Sequence, residues 1–258
     1  MFAGSIFKKI LHTITRKEEQ TKHCPICTVS FKRYIPLASV YKKMWKQNGF
    51  AYSIEDFEML HAKEYNCPNC QSNDRDRLYM LYINKNIIPD RNYQKILDIA
   101  PSTPLSTWIR KNFRGEYTTA DLLMDNVDYK VDIENMNVFA DNYFDFVICS
   151  HVLEHVPSDI TAMQELYRVL RKNGKAIIVV PIVKNTAGFI EDASITNKAL
   201  RWKYFGQDDH VRLYTRKVFV ERLQQVGFTI ETATPHTLNI DITNAGIDPQ
   251  SIIYIATK

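Results

Sequence analysis

The stretch FDFVICSHVLEHVPSDITAMQELYRVLRKNGKAIIVVPI, residues 144–182, decides the fold. Its two ends, FDFVICS and KAIIVVPI, are apolar runs of strand length. Strands that read apolar throughout are those covered on both faces of a sheet. Between them Ser158 stands where a helix N-cap belongs. Ile160, Met163, Leu166, Tyr167 and Leu170 then fall on one helical face, and Asn173-Gly174 reads as the helix stop. Strand, helix and strand in this order make a βαβ unit, so the sheet is mostly parallel with helices on both faces.

The same grammar extends outward. Upstream, YQKILDIA (93–100) predicts a strand, TPLSTWIRKNF (103–113) a helix, and EYTTADL (116–122) and NVDYKVDI (126–133) two further strands. Downstream, TRKVFVERLQQVGF (215–228) runs from a Thr cap to a Gly stop. FTIETATP (228–235) and SIIYIATK (251–258) supply two more strands. NDRDRLYMLYINKNII (73–88) reads as a connecting helix that ends before Pro89. Three units follow: an N-terminal helix over 1–20, a cysteine-bearing module with its connecting helix over 21–90, and an α/β domain over 91–258.

Composition sets bounds. The chain has 258 residues and a formal net charge of +4, too modest to demand a polyanionic partner. Residues 1–90 carry fourteen Lys and Arg against nine Asp and Glu, so any contact with an anion is expected there. No apolar run reaches the roughly 18 residues of a membrane span. The first twenty residues lack the apolar segment of a signal peptide. Phe2, Ile6, Phe7, Ile10 and Ile14 fall at helical spacing, which suits packing on the protein itself, with peripheral membrane contact of residues 1–16 as the alternative. A cytoplasmic location is expected, where thiols stay reduced.

Four of the five cysteines form two CxxC pairs, Cys24/Cys27 and Cys67/Cys70. In a reducing compartment this is the pattern of a structural zinc site. Four thiolates close the coordination sphere and leave no position for a substrate. Cys149, alone in an apolar run, reads as a small buried hydrophobe.

In open α/β sheets ligands bind at the carboxyl ends of the strands, near the point where strand order reverses. Asp98 lies near the end of the first strand, Asp121 ends the second and Asp132 the third. An acid about 20 residues beyond the first strand is placed to accept both ribose hydroxyls of a nucleoside cofactor, and Asp121 has that place.

Together, KILDIAPSTPL, YTTADL, VDIENM and the 144–182 segment resemble class I methyltransferases that depend on S-adenosylmethionine, in the broad branch that methylates small molecules. The resemblance covers residues 93–258. It implies a Rossmann-like, seven-stranded sheet beside the small N-terminal zinc-binding module. It implies that Asp98 and the backbone of Ile99, Ala100, Pro101 and Ser102 border the methionine part of the cofactor. Asp121 would take the ribose, with Leu122 against the adenine. Asp132 would face the adenine amino group with Ile133 beside it, and Ser150 and His151 would flank the methyl group and the acceptor.

The first motif of this family is usually glycine-rich, and APSTP (100–104) holds no glycine. Glycine admits the left-handed backbone that brings a loop close to its ligand. Either the loop takes another shape here or cofactor binding is weakened.

His151 is a candidate general base, and His210, in the polar segment FGQDDHVRLYT, is a second. Arg212 could hold an anionic acceptor group. A metal held by Asp208, Asp209 and His210, or a salt-bridged surface loop, are the alternatives for that segment. The expected function is methyl transfer to a small molecule or a glycan. Two other readings stay open: an RNA methyltransferase that presents RNA on the zinc module and the basic KKMWK stretch (42–46), and a methyltransferase fold that only binds.

Overall fold

The computed structural model describes residues 21–184 and 188–258; the helix expected over 1–20 lies outside them. The N-terminal module holds a short hairpin, β1 (Lys22–His23) and β2 (Ser30–Phe31), then α1 (Ser39–Asn48) and α2 (Asp74–Asn86). There follow β3 (Lys95–Ile99), α3 (Thr103–Asn112), β4 (Glu116–Asp121), β5 (Tyr129–Lys130), β6 (Phe144–Ser150), α4 (Asp159–Val169) and β7 (Leu170–Val179). The chain ends with β8 (Ile190–Glu191), α5 (Lys198–Phe205), β9 (Arg212–Leu213), α6 (Arg216–Val226), β10 (Thr229–Ala233) and β11 (Ile253–Thr257).

Seven strands form the main sheet in the order β10-β11-β7-β6-β3-β4-β5. All neighbours from β7 to β5 pair in parallel, and β11 is antiparallel to both β10 and β7. The order reverses between β3 and β6: from β3 the chain steps outward to β4 and β5, then returns to β6 on the other side. The carboxyl ends of β3 and β6 therefore open side by side, at Ala100 and His151.

Alternate residues of the central strands feed two cores. Leu97, Val147, Cys149 and Ile178 join one with α4 and α6. Ile96, Phe146, Ile148 and Ile177 join the other with α2, α3 and the cysteine module. The expected strands of 144–150 and 175–179 are thus buried on both faces, and Cys149 is fully buried.

Two sequence expectations are corrected. The helix expected to run to Lys172 stops at Val169, and β7 begins at once. Buried Leu170 pairs with Phe144, and Asn173 sits at φ 61 in a bulge of that strand. The stop signal Asn173-Gly174 thus marks a strand irregularity and not a helix end. The strand expected over 126–133 keeps only Tyr129–Lys130. Asp128 is drawn back by bonds from the Thr119 amide and hydroxyl and from Arg110, and Asp132 turns the chain by accepting from the Glu134 amide.

The module is stitched to the loop between β10 and β11 by Arg77, which is fully buried. Its guanidinium donates to the carbonyls of Glu64, Tyr65, Ser72, Ala245 and Gly246 and stacks 4.2 Å from the Tyr34 ring. Five donors in a fixed fork meet five carbonyls, of which Ser72 O accepts from Cys67 N as well.

Candidate functional site

The two CxxC segments fold as the same turn. Thr28 N donates to Cys24 O and Gln71 N to Cys67 O; Cys24 N donates to Val29 O and Cys67 N to Ser72 O. The residue after each pair is left-handed, Thr28 at φ 59 and Gln71 at φ 63. These turns aim four sulfurs at one point, all within 4.8 Å of one another. Cys24 and Cys70 Sγ are 3.7 Å apart, and Cys27 and Cys67 Sγ 3.8 Å. Four thiolates at about 2.3 Å from a tetrahedral ion would lie roughly 3.8 Å apart. The donor set and spacing fit zinc, and no disulfide forms.

At the switch point lie two cavities that share Arg75. The smaller, about 120 Å³, is lined by Asp98, Ile99, Ala100, Ser102, Ser150 and, from α2, Asn73, Arg75, Asp76 and Tyr79. Its loop answers the question raised by the missing glycines. Ala100 itself adopts φ 53, and its amide donates to Ala120 O. The turn after β3 keeps the left-handed step that glycine usually supplies, at a cost of roughly 1–2 kcal/mol for an L-residue. The loop therefore keeps this step without a glycine. Pro101 is buried behind the loop and does not line the cavity.

Asp98 is almost fully buried and accepts from Tyr117 Oη at 2.6 Å. Burial pushes its carboxyl up to about 7; the Tyr117 hydroxyl opposes the shift and the charge of Asp76 adds to it. Asp76 is also raised by burial, and it accepts from Ser102 Oγ at 2.8 Å. Two buried carboxyls facing one cavity make it a place for a cation.

Asp121 and Asp132 lie at the next strand ends, outside this cavity. Asp121 Oδ1 accepts from the amides of Leu123 and Met124, both at 2.7 Å. Beside it Leu122 and Leu123 are 56% and 82% exposed, an apolar shelf next to a carboxylate. Asp132 is exposed and Ile133 buried. Val131 N donates to Asp121 O, so the two acids stand on adjoining segments.

The larger cavity, about 200 Å³, lies between the N-terminal module and the segment around α5. Tyr41, Trp45, Phe57 and Tyr65 give it aromatic walls, and His151, Glu154, His155 and His210 line its polar side. Trp45 Nε1 donates to Gly206 O at 2.8 Å, which ties α1 to the end of α5.

His151 leaves β6 at φ 59, a strained left-handed residue. Arg75 Nη1 donates to its Nε2 at 2.7 Å, and its Nδ1 lies 3.1 Å from Glu154 Oε1. Burial and the Arg75 charge lower the His151 pKa, so the ring is neutral and both nitrogens are engaged. Burial alone would raise Glu154, but His151, His210 and His155 around it hold it down to about 2. His210 is buried, with neither ring nitrogen hydrogen-bonded among the described residues, and burial lowers it to about 4.

The expectation for Arg212 is corrected. It is buried and lines neither cavity: it pairs with Glu191 and donates to the carbonyls of Leu153, Val156 and Pro157. The turn that carries Glu154 and His155 is thereby fixed. Asp208 pairs with Lys198 at 3.5 Å, on the surface, and is not gathered with His210. The sequence reading missed Arg75, Asp76 and Tyr79. They sit on α2, whose spacing showed only a connecting helix.

A family model described as a methyltransferase domain matches residues 73–233, more than half of the chain. The chain belongs to the methyltransferase-domain family. Four of its cysteines gather in one cluster beside the sheet. Among curated proteins, an uncharacterized protein of Methanocaldococcus jannaschii is 36% identical over 85 residues, 31% of this chain and 36% of that protein. The chain thus spans about a third of the curated relative it matches. Among solved structures, a SAM-dependent methyltransferase of Archaeoglobus fulgidus superposes with a TM-score of 0.46 at 16% identity, over 71% of this chain and 94% of that one. Phosphoethanolamine N-methyltransferase 2 of Haemonchus contortus, solved with S-adenosyl-L-methionine, gives 0.47 at 18% identity, over 70% and 52%. Among the described residues no helix is long and apolar enough to cross a membrane.

Proposed function

We propose that this methyltransferase acts on a small acceptor, free or glycan-linked, seated in the aromatic cavity, with the cofactor's methionine end in the smaller one. The observation that carries the reading is the meeting of the two cavities at Arg75, with Ser150 on the cofactor side and His151 on the other. S-adenosylmethionine supplies an electrophilic methyl group on a cationic sulfonium.

The chain's own residues then have distinct tasks. Asp98 and Asp76 face the cationic amino acid end, and Asp121 takes the ribose hydroxyls with Leu122 along the adenine. Tyr79 Oη and Ser150 Oγ, 2.9 Å apart, form the wall at the junction. Arg75, His151 and Glu154 form one hydrogen-bonded and ionic chain that fixes the imidazole edge towards the acceptor. With Nε2 held by Arg75, His151 positions the acceptor, and a base role would require Arg75 to swing away. In-line displacement depends chiefly on holding the nucleophile close to the methyl carbon and collinear with it. Rigid aromatic walls suit the apolar face of a sugar or phenol ring. The four-cysteine cluster holds zinc and shapes the module that contributes those walls.

Against the RNA reading, α1 turns Tyr41 and Trp45 towards the cavity and leaves Lys42, Lys43 and Lys46 in solvent. Bases have no outward aromatic platform there. The test is transfer of labelled methyl from S-adenosylmethionine to a panel of sugars, phenols and total RNA. Label in a small molecule, with KM for that acceptor raised about tenfold in Trp45→Ala, supports the proposal. Label confined to RNA overturns it.

A further inference from the structure

The polar side of the larger cavity holds three buried atoms without hydrogen-bond partners among the described residues, Oε2 of Glu154 and Nδ1 and Nε2 of His210, while Glu154 Oε1 faces His151 Nδ1 at 3.1 Å. Both residues are at least nine-tenths buried, at 0% and 2% exposure. A buried polar atom left unpaired costs about 1–3 kcal/mol. Three such atoms at one spot, next to an open cavity, mark a place built for something else.

The neighbouring side chains say what. One ligand atom from each of Glu154, His155 and His210 can be chosen so that all lie within 4.8 Å of one another. The His155 and His210 rings meet edge to face, centroids 4.6 Å apart. Asp209 Oδ2 lies 3.3 Å from His155 Nδ1, while His155 Nε2 faces Glu154 Oε1 at 3.9 Å. A carboxylate on one imidazole nitrogen, with the other nitrogen turned to the cluster, is the arrangement that orients a metal-binding histidine. The scaffold is stiff: Arg212 pins the Leu153–Pro157 turn, and Val211 N donates to Glu154 O, which locks the His210 segment against it.

We propose that Glu154, His155 and His210 bind one divalent transition-metal ion of the zinc type, on the wall of the acceptor cavity. Two imidazoles and one carboxylate form a three-ligand set that leaves a coordination position open, unlike the closed four-thiolate cluster. Ligands at about 2.0–2.2 Å from a tetrahedral ion lie roughly 3.3 Å apart, so binding draws the three side chains inward. His155, 34% exposed, has the freedom to travel. The site differs from the Asp208–Asp209–His210 set considered from sequence, since Asp208 lies elsewhere and Asp209 only supports His155. One consequence rests on the proposed function: the open position faces the acceptor, so the acceptor is an oxygen nucleophile, which such an ion acidifies.

Equilibrium dialysis of the full chain against buffered micromolar zinc, without cofactor, tests the site by metal content per chain. Two zinc ions are expected in the wild type and one in His210→Ala and His155→Ala. Asp209→Asn should lower the affinity of the second ion by roughly 10- to 100-fold. Asp208→Asn should leave two. A wild type that holds one ion, as it would if a bridging water satisfied these groups, overturns the proposal. So does a second ion that persists in both histidine variants. If His210→Ala melts early, the half-exposed His155→Ala decides. Cofactor binding is not part of the readout, so failure here and failure of the methyltransferase reading are separable.

Discussion

Replacing Asp98 with asparagine should make the cofactor-free protein more stable at neutral pH, and increasingly so as pH rises. Asp98 is 2% exposed, and its folded pKa stands near 7 against an ordinary value of 3.8. A carboxyl whose folded pKa is raised contributes stability that is fully present below the unfolded pKa and is lost as pH rises through the folded one. Between about pH 4 and pH 7 the native state keeps a proton that the unfolded chain has released. Stability then falls by about 1.4 kcal/mol per pH unit from this group. Over the whole interval the loss is about 4 kcal/mol. Asparagine has no such proton and still offers an oxygen to Tyr117. Whatever the substitution costs in packing is the same at every pH, so the informative quantity is the difference between the two proteins. Urea unfolding at pH 5, 6, 7 and 8 should show the variant gaining on the wild type up to about pH 7 and then levelling. The same variant should bind S-adenosylhomocysteine more weakly, because the cation-binding carboxylate is gone. Parallel stability curves for the two proteins would refute the buried-carboxyl argument.

Three further outcomes follow from the same geometry. Ala100→Gly relieves a left-handed alanine, so after the extra chain entropy of glycine it should stabilise by roughly 0.5–1 kcal/mol, read as a rise in Tm; a fall would contradict the strain assignment. Arg77→Met leaves the carbonyls of Glu64, Tyr65, Ala245 and Gly246 without the guanidinium donor and should cost at least about 3 kcal/mol in urea unfolding; a loss under about 1 kcal/mol would show that water replaces the guanidinium. Stripping metal with a strong chelator should expose the chain between Cys27 and Cys67 to proteolysis, with protection restored by zinc; an unchanged digestion pattern would mean that the cysteine module stands without metal.

Much of this was legible in the sequence, for reasons that differ from residue to residue. The apolar runs at 144–150 and 175–180 had to be covered on both faces, which gave the parallel sheet and the edge at which to look. Ser158, Thr215 and Gly227 act as the caps their chemistry suggested. Long-range pairing escaped: no local signal shows that Asp128 binds Thr119, or that β7 begins one residue after α4. The left-handed Ala100 was hidden for the opposite reason. A residue that disfavours a conformation was held in it by the bond to Ala120 and the packing around Pro101.

At the site, the strand-end residues were visible as a pattern, because strand ends carry ligands in this architecture. The helix α2 was not. Its spacing showed only a connecting helix, yet Asp74, Asp76 and Arg77 are buried. The larger cavity draws on residues 37–75, 151–155, 180–182 and 205–210, far apart in sequence, and only the folded chain shows that they enclose one space. Arg212 illustrates the converse, a cation in a polar segment whose partners are Glu191 and three backbone carbonyls.

The most direct test of the central claim is calorimetric titration of the zinc-loaded protein with S-adenosylhomocysteine, beside Asp121→Ala. The account predicts micromolar binding by the wild type, despite the glycine-free loop, and a loss of at least tenfold in the variant. A folded wild type that binds no S-adenosylhomocysteine would contradict it.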